Sequence, residues 1–127
     1  MIAGIGIDII EVARVKRLLE RNPEFKDRVY SQAEIDYCES KADPGMSYAV
    51  RFAAKEAFMK ALGTGWNHEV AFKDIETVNR PDGSPEMVIH DNTRKAMEKR
   101  HISNIHISLS HEKDYAVAYV VLEKVDT

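Results

Sequence analysis

The first strand of the chain is marked by strict alternation between two kinds of residue. Residues 2 to 9 change face at every step, which predicts a β-strand. One face carries Ile5, Ile7 and Ile9. The other face carries Gly4, Gly6 and Asp8. We expect the isoleucine face to lie in the core. The glycines leave room beside Asp8 for a ligand or for another backbone, and tight packing against a helix is the simpler of these two explanations.

Short helices are predicted after this strand. In residues 11 to 21 the apolar positions recur at helical spacing. They form a core stripe of Val12, Val15 and Leu19. After Pro23, Phe25 opens a short segment. Ser31 and Glu34 match a capping box, which predicts a helix through about residue 40.

The longest predicted helix spans about residues 47 to 62. It follows a turn at residues 43 to 45 and ends at Gly63, a residue favoured at the C-terminal cap. Its predicted buried stripe consists of Val50, Ala53, Ala54, Ala57, Phe58 and Ala61.

The second half of the chain is mainly strands. "FKDIETVN" and "PEMVIH" flank the turn residues 80 to 84, which predicts a hairpin. Asn92 is the predicted cap of a helix to about residue 100. "NIHISLSHE" then alternates, and "YAVAYVVLE" is apolar on both faces, which predicts a central strand. The order is strand, three helices, two strands, helix, two strands. It predicts a single α+β domain over residues 1–127, with a mainly antiparallel sheet packed against the long helix.

Composition narrows the function classes. The formal charge of −3 gives no general argument for nucleic-acid binding. The single cysteine, Cys38, excludes an internal disulfide and supplies too few thiolates for a structural zinc site. No apolar run approaches the roughly 20 residues that span a bilayer, and the N-terminus lacks the pattern of a signal peptide. We therefore expect a cytoplasmic protein.

Three charged residues are candidates for phosphate chemistry. Glu56 and Lys60 lie one helical turn apart, a spacing that is common for exposed pairs of little energetic value. Together with Asp8, however, they place two carboxylates on separate rigid elements beside a lysine. Mg²⁺ takes one or two protein carboxylates and completes its shell with water and substrate phosphates. The loop of residues 63 to 65, Gly-Thr-Gly, offers backbone N–H groups to a phosphate, although it is not a Walker A sequence.

Two further clusters allow a functional and a plain structural explanation. His106, Ser108, Ser110 and His111 suit a binding role better than nucleophilic catalysis, or they are a partly solvated sheet face. Arg14, Arg17 and Arg21 either form a solvated helix face or attract an acidic partner.

The ordered motifs resemble those of the holo-acyl-carrier-protein synthases, which are small 4′-phosphopantetheinyl transferases. These motifs are "GIGIDIIEVARV", "RFAAKEAFMKALGTG", Asn79…Gly83…Pro85 and "HISLSH". The resemblance implies transfer of the 4′-phosphopantetheine arm of coenzyme A to a serine of apo acyl carrier protein, with Mg²⁺, in fatty acid biosynthesis. Asp8 and Glu56 would be the metal ligands, and Lys60 would contact the pyrophosphate. The implied coenzyme A contacts are Arg51, Lys60, Gly63, Gly65, Asn79, Pro85, Ser110 and His111.

The resemblance also implies partners. The surface that meets the acidic carrier protein would comprise Arg14, Leu18, Arg21 and Phe25. Relatives of this size imply a homotrimer with sites between neighbouring subunits. Two alternatives compete with the transferase. One is a non-catalytic trimeric subunit that binds coenzyme A or a related nucleotide, and the other is a magnesium-dependent nucleotide hydrolase.

Overall fold

The computed structural model describes residues 1–65 and 69–125. Its regular elements follow the predicted order, and an α+β fold is confirmed. They are β1 (Ile2–Glu11), α1 (Val12–Arg21), α2 (Phe25–Val29), α3 (Gln32–Glu39), α4 (Pro44–Leu62), β2 (Ile75–Asn79), β3 (Pro85–Ile89), α5 (Asp91–Lys99), β4 (Ile102–His111) and β5 (Tyr115–Lys124).

Two antiparallel sheets are present among these elements. Three strands pair in the order β1-β5-β4, so the strand predicted to be central from its two apolar faces does lie in the middle. The other sheet is the β2–β3 hairpin. Helix α4 packs across the three-stranded sheet and contacts both β1 and β5.

The contact between β1 and α4 depends on two glycines. A Cβ added at Gly6 would lie 1.9 Å from the carbonyl oxygen of Ala57, and one at Gly4 would lie 2.0 Å from that of Ala61. Since real Cβ atoms never come this close, only glycine allows the two backbones to meet. The helix-packing explanation for the glycine face is therefore confirmed.

This contact overturns the expected orientation of β1. The isoleucines lie on the face away from α4, and Ile5, Ile7 and Ile9 are 53%, 56% and 63% exposed. The prediction that they enter the core is wrong because α4 occupies the glycine face instead. Their register partners on β5 and β4 continue this open face of the sheet, which also includes Val117, Tyr119, Val121, His106, Ser108 and Ser110.

Helix α4 forms the centre of the core. All six residues of the predicted stripe are buried, and so are most of the others. The helix begins at Pro44, earlier than predicted, because the Asp43 carboxylate accepts a hydrogen bond from the Met46 N–H and proline suits the first helical position. It ends at Gly63, whose φ of 81° is the left-handed cap predicted from the sequence.

Two other boundaries differ from expectation. His90, not Asn92, is the N-cap residue of α5, which begins at Asp91. Residues Phe72–Asp74 form a 3₁₀ turn instead of the start of a strand. The turn is held by Lys55, whose ammonium group donates to the carbonyl oxygens of Phe72 and Ile75.

A buried ion pair joins α3, α4 and β2. Lys55 Nζ donates to Glu34 Oε1 at 2.7 Å, and both side chains are fully buried. Burial lowers the pKa of Lys55, and the Glu34 carboxylate opposes that shift. The other carboxylate oxygen of Glu34 accepts from the Thr77 N–H at 3.1 Å. The predicted capping box of Ser31 and Glu34 is confirmed, but the sequence predicts only this capping role for the glutamate.

Within residues 1–65 and 69–125, no helix has both the length and the apolar character that a bilayer crossing requires.

Replacing Glu34 with glutamine should leave the buried Lys55 charge without its counter-ion. We expect the free energy of unfolding to fall by about 3–5 kcal/mol, as measured by denaturant unfolding at one fixed protein concentration. The control is Glu98→Gln, which breaks the exposed pair with Arg94 at 3.0 Å and should cost less than about 0.5 kcal/mol. Equal losses in the two variants would show that the buried pair has no special importance.

Candidate active site

The predicted acid on β1 and the predicted lysine on α4 meet in the structure. Lys60 Nζ donates to Asp8 Oδ1 at 2.9 Å and to the carbonyl oxygen of Ile7 at 3.0 Å. The Asp8 side chain is only 16% exposed, whereas that of Lys60 is 54% exposed. Asp8 is held between strand and helix, and the lysine head remains accessible from solvent.

Glu56 lies one turn before Lys60 on the same edge of α4. Residues with this spacing have Cβ atoms about 5–6 Å apart. Glu56 is half-buried. A carboxylate from β1 therefore binds the Lys60 ammonium group, and Glu56 lies one turn away from that lysine on α4. Among the described residues no cluster of three or more metal-binding side chains occurs. Two carboxylates are the donor set that Mg²⁺ accepts when water and phosphate oxygens complete its shell, so these residues fit the ion.

The glycine loop follows directly after α4. The Gly63 N–H donates to the carbonyl oxygens of Met59 and Lys60, so it serves as the helix cap. Gly65 also has a positive φ of 58°, and an added Cβ at either glycine would meet only open space. A contact between this loop and a coenzyme A phosphate stays a prediction.

Arg51 lies on the opposite side of α4 from Lys60. The nine intervening steps are about two and a half turns, which reverses the direction of a helical side chain. Arg51 is only 5% exposed, and its guanidinium carbon lies 4.0 Å from the centre of the Tyr37 ring. Asn79 and Pro85 face each other across the mouth of the β2–β3 hairpin. These predicted coenzyme A contacts are therefore separate from the Asp8–Lys60 pair within one chain.

The Ser110–His111 segment lies far from the glycine loop. Ser110 and Ile9 lie at the same level of the sheet, because both pair with Val117 on β5. Gly4 marks the other end of this distance, because it packs against the last turn of α4, just before the loop. Ile9 is five residues beyond Gly4 on β1. Five strand residues span about 17 Å. Ser110 and His111 are both exposed at the end of β4. The predicted site residues thus form three groups in a single chain.

The predicted docking residues lie together on α1 and α2. Arg14 and Arg21 are exposed, and Leu18 is half-buried between them. Phe25 borders a pocket of about 460 Å³ whose other aromatic walls are Phe52 and Phe72. The aromatic contacts fix these walls: ring centres are 5.8 Å apart for Phe25 and Phe52, and 5.5 Å apart for Phe52 and Phe72.

Sequence reasoning missed two features of the site. Phe52 precedes Glu56 by one turn and connects the aromatic pocket to the acidic edge of α4. The i, i+4, i+8 spacing of Phe52, Glu56 and Lys60 is the signal that reveals it. Tyr37, whose ring lies beside the Arg51 guanidinium, has no comparable signal because the two residues are on different helices.

Comparison with known proteins assigns the family. A sequence profile of the 4′-phosphopantetheinyl transferase superfamily matches residues 4–120. The chain belongs to this superfamily.

Its relatives include enzymes of one particular kind. The holo-[acyl-carrier-protein] synthase of Syntrophus aciditrophicus (strain SB) is 42% identical over 124 residues, covering 97% of this chain and 97% of that protein. The crystal structure of the Neisseria meningitidis synthase matches with a TM-score of 0.91 at 38% identity, over 98% of this chain and 100% of that one. The synthase from Bacillus anthracis str. Ames, solved in complex with CoA (3′,5′-ADP), matches with a TM-score of 0.83 at 38% identity. The match covers 98% of this chain and 99% of that one.

Substituting Gly6 with alanine should separate β1 from α4. The new Cβ would lie 1.9 Å from a helix carbonyl oxygen, and neither backbone can yield without moving Asp8 relative to Lys60. We expect a loss of about 1–3 kcal/mol of stability, seen as a lower melting temperature. In the control Gly45→Ala, the three atoms nearest to the added Cβ all belong to the flexible Lys16 side chain, the closest at 2.6 Å. Melting temperatures that fall equally would contradict the proposed contact.

Proposed function

We propose that this chain transfers the 4′-phosphopantetheine group of coenzyme A to a serine of apo acyl carrier protein, with release of adenosine 3′,5′-bisphosphate. The observation that carries the proposal is the meeting of Asp8 and Lys60 beside Glu56, in a chain whose relatives are holo-[acyl-carrier-protein] synthases. Within fatty acid biosynthesis the reaction supplies the active carrier. We place it in the cytoplasm, which agrees with the single cysteine of the chain.

Asp8 and Glu56 would bind Mg²⁺. When bound, the ion neutralises charge on the diphosphate of coenzyme A. Lys60 contributes a second positive charge, and its exposed head is free to turn from Asp8 to a phosphate oxygen. The two acids come from different rigid elements, so both are positioned before substrate arrives.

The reaction exchanges one phosphorus–oxygen bond for another. The carrier serine oxygen attacks the phosphorus that bears the pantetheine arm, and the bond to the nucleotide phosphate breaks. Glu56 orients a water molecule that accepts the serine proton, and Lys60 stabilises the charge on the departing phosphate. Attack requires the serine oxygen to lie about 3–3.5 Å from phosphorus, so positioning of the docked carrier provides much of the catalysis.

The direct test is mass spectrometry of apo carrier protein incubated with coenzyme A, Mg²⁺ and this chain. One attached arm adds about 340 Da. Glu56→Gln should abolish the addition with no change in fold, and the exposed Glu98→Gln serves as control. Full activity in Glu56→Gln would refute the role of this acid. A nucleotide hydrolase would release adenosine bisphosphate even when no carrier protein is added. A non-catalytic binding subunit would give no product with or without the carrier protein.

The carrier protein would dock on the surface formed by Arg14, Leu18, Arg21 and Phe25. Arg17 and Arg28 pair with Glu11 and Glu24, whereas no ion pair within the described residues engages Arg14 or Arg21. Those two charges are available to an acidic partner. The adjacent aromatic pocket suits an apolar side chain of that partner, and its Phe52 wall is one turn from Glu56. Docking there brings the acceptor serine to the acids.

Reversing both docking charges, with Arg14→Glu and Arg21→Glu, should raise KM for the carrier at least tenfold and leave the affinity for coenzyme A unchanged. The loss should shrink at high salt because screening removes the repulsion. Lys95→Glu with Lys99→Glu makes the same charge change on the exposed face of α5 and should have little effect. Equal weakening of carrier and coenzyme A binding would contradict the docking role.

We further propose that three chains assemble with the site between neighbours. The open face of β1 exposes three isoleucines in a row, and such a contiguous apolar patch is typical of an interface. A site shared between chains also explains why Arg51 and Ser110 lie apart from Lys60 within one chain. A neighbouring chain would bring its own copies of these residues to the Lys60 side of the site.

Light scattering should therefore give a particle of three times the 14.4 kDa chain mass. Ile7→Lys places a charge in the middle of the patch and should dissociate it with loss of transfer activity. Val125→Lys alters an equally exposed apolar residue beyond the end of β5 and should leave the assembly intact. A wild-type chain that is monomeric at micromolar concentration would refute the trimer.

A further inference from the structure

Helix α2 carries part of the proposed docking surface and is too short to be stable alone. It comprises the five residues Phe25–Val29. Isolated helices of fewer than about 12–15 residues are marginal in water. Phe25 lines the aromatic pocket, and its ring centre lies 5.8 Å from that of Phe52. The position of Phe25 therefore depends on the contacts that fix α2 to its neighbours.

An ion pair joins α2 to α3, and its carboxylate also binds α4. Lys26 Nζ lies 3.3 Å from Glu39 Oε2, and the two side chains are 37% and 48% exposed. The same carboxylate oxygen accepts a hydrogen bond from the Tyr48 hydroxyl at 2.6 Å. Lys26 Nζ also lies 5.5 Å from the centre of the Tyr48 ring. Side chains from three helices thus meet at one carboxylate.

Tyr48 makes a second connection to the end of α2, through Tyr30. The Tyr30 N–H donates to the carbonyl oxygen of Lys26 and caps the helix. The buried Tyr30 ring packs against Tyr48 with ring centres 4.8 Å apart, and its hydroxyl donates to the Tyr48 carbonyl oxygen at 2.8 Å. Tyr30 also meets the Phe25 ring edge to face at 6.1 Å. Tyr48 therefore supports α2 through an aromatic contact as well as through the ion pair.

The protonation states of Glu39 and Tyr48 suit this arrangement. The hydrogen bond from Tyr48 and the neighbouring Lys26 lower the pKa of Glu39, so the carboxylate is charged at neutral pH. Burial, together with the hydrogen bond to Glu39, raises the pKa of Tyr48, so its hydroxyl keeps the proton that it donates. The carboxylate can therefore bind both partners at neutral pH.

We propose that Glu39 and Tyr48 are positioning residues for carrier binding, which fix α2 through Lys26 so that Phe25 is in place before the carrier protein docks. This inference rests on the proposed function for the identity of the docking partner. Binding to a surface that is already ordered avoids the entropic cost of fixing α2 during association. Neither positioning residue has to touch the carrier to have this effect.

The main test is Glu39→Gln, for which the positioning role and simple electrostatics predict opposite signs. Removing a negative charge should by itself strengthen binding of an acidic partner. Loosening α2 should weaken it instead. We expect KM and the calorimetric dissociation constant for apo carrier protein to rise about threefold, the size expected for loss of an exposed ion pair. The value of kcat and the dissociation constant of coenzyme A should not change.

Asp36→Asn is the matched control for the change in charge. Asp36 is an exposed acid on the same helix, and its carboxylate accepts a hydrogen bond from Gln32 of α3 itself at 2.8 Å. This variant should not weaken carrier binding. Equal weakening in Asp36→Asn and Glu39→Gln would overturn the positioning role, because it would reflect charge on α3 alone.

Tyr48→Phe tests the second positioning residue without any change in charge. It removes the hydroxyl and keeps the ring against Tyr30, so carrier affinity should fall while coenzyme A affinity stays the same. Unchanged carrier affinity would overturn the role of Tyr48. An equal loss of affinity for both substrates would show a general structural defect and would also overturn it.

A double-mutant cycle tests whether Glu39 acts through Lys26. Lys26→Met keeps most of the aliphatic stem and removes the ammonium group. In this background Glu39→Gln should no longer weaken carrier binding. An undiminished loss would overturn the route through Lys26. Unchanged or stronger carrier binding by Glu39→Gln in the otherwise wild-type chain would overturn the positioning role itself.

Failure of this inference is distinguishable from failure of the proposed function. A wild-type chain that modifies the carrier, with Glu39→Gln binding the carrier normally, refutes only the positioning role. A wild-type chain that binds the carrier without modifying it refutes only the transferase, and the carrier dissociation constants of the variants still decide the positioning role. A wild-type chain that binds no carrier refutes both.

Discussion

The approach of β1 to α4 at Gly4 and Gly6 determines the rest of the structure. Two backbones meet without intervening side chains, at a distance where a single methyl group would collide with a carbonyl oxygen. Helix and strand are thereby fixed in register. Asp8, two residues beyond Gly6 on the same face, is brought to the helix edge where Lys60 binds it at 2.9 Å.

The same contact decides what the other face of β1 can do. With α4 on the glycine side, the three isoleucines have no partner in the described part of the chain and stay exposed. This exposed apolar face is the observation on which the proposed trimer rests. The Lys55–Glu34 pair has a complementary role. It holds α4 to α3 and β2 on the side away from β1, so the helix is fixed from both directions.

Much of the fold was predictable because its signals are local. The capping box at Ser31, the left-handed cap at Gly63 and the apolar β5 each depend on short-range chemistry, and each is found as predicted. The orientation of β1 was not predictable in this way. Alternation shows that the two faces of a strand differ, but it does not show which face a helix will cover. The natural assumption that isoleucine is buried within one chain fails here because Gly4 and Gly6 place α4 on the opposite face.

The site was predictable to a different extent. Asp8 and Lys60, which the family resemblance assigns to one site, lie in contact. Arg51, in contrast, carries no sequence signal of its burial, because its ring partner Tyr37 lies on another helix, α3, and the sequence pattern does not show how α3 packs on α4. Lys55 and Lys60 are two lysines close to Glu56 on α4. The sequence does not distinguish them, because the orientation of α4 in the fold is what buries Lys55 and leaves Lys60 exposed to solvent.

Binding of Mn²⁺, as a paramagnetic substitute for Mg²⁺, measures most directly whether Asp8 and Glu56 hold one ion. In the presence of coenzyme A, electron paramagnetic resonance should detect one bound ion per chain. Asp8→Asn and Glu56→Gln should each abolish that binding, and Glu98→Gln should retain it. Retention of the ion in both site variants would contradict a shared metal site between β1 and α4.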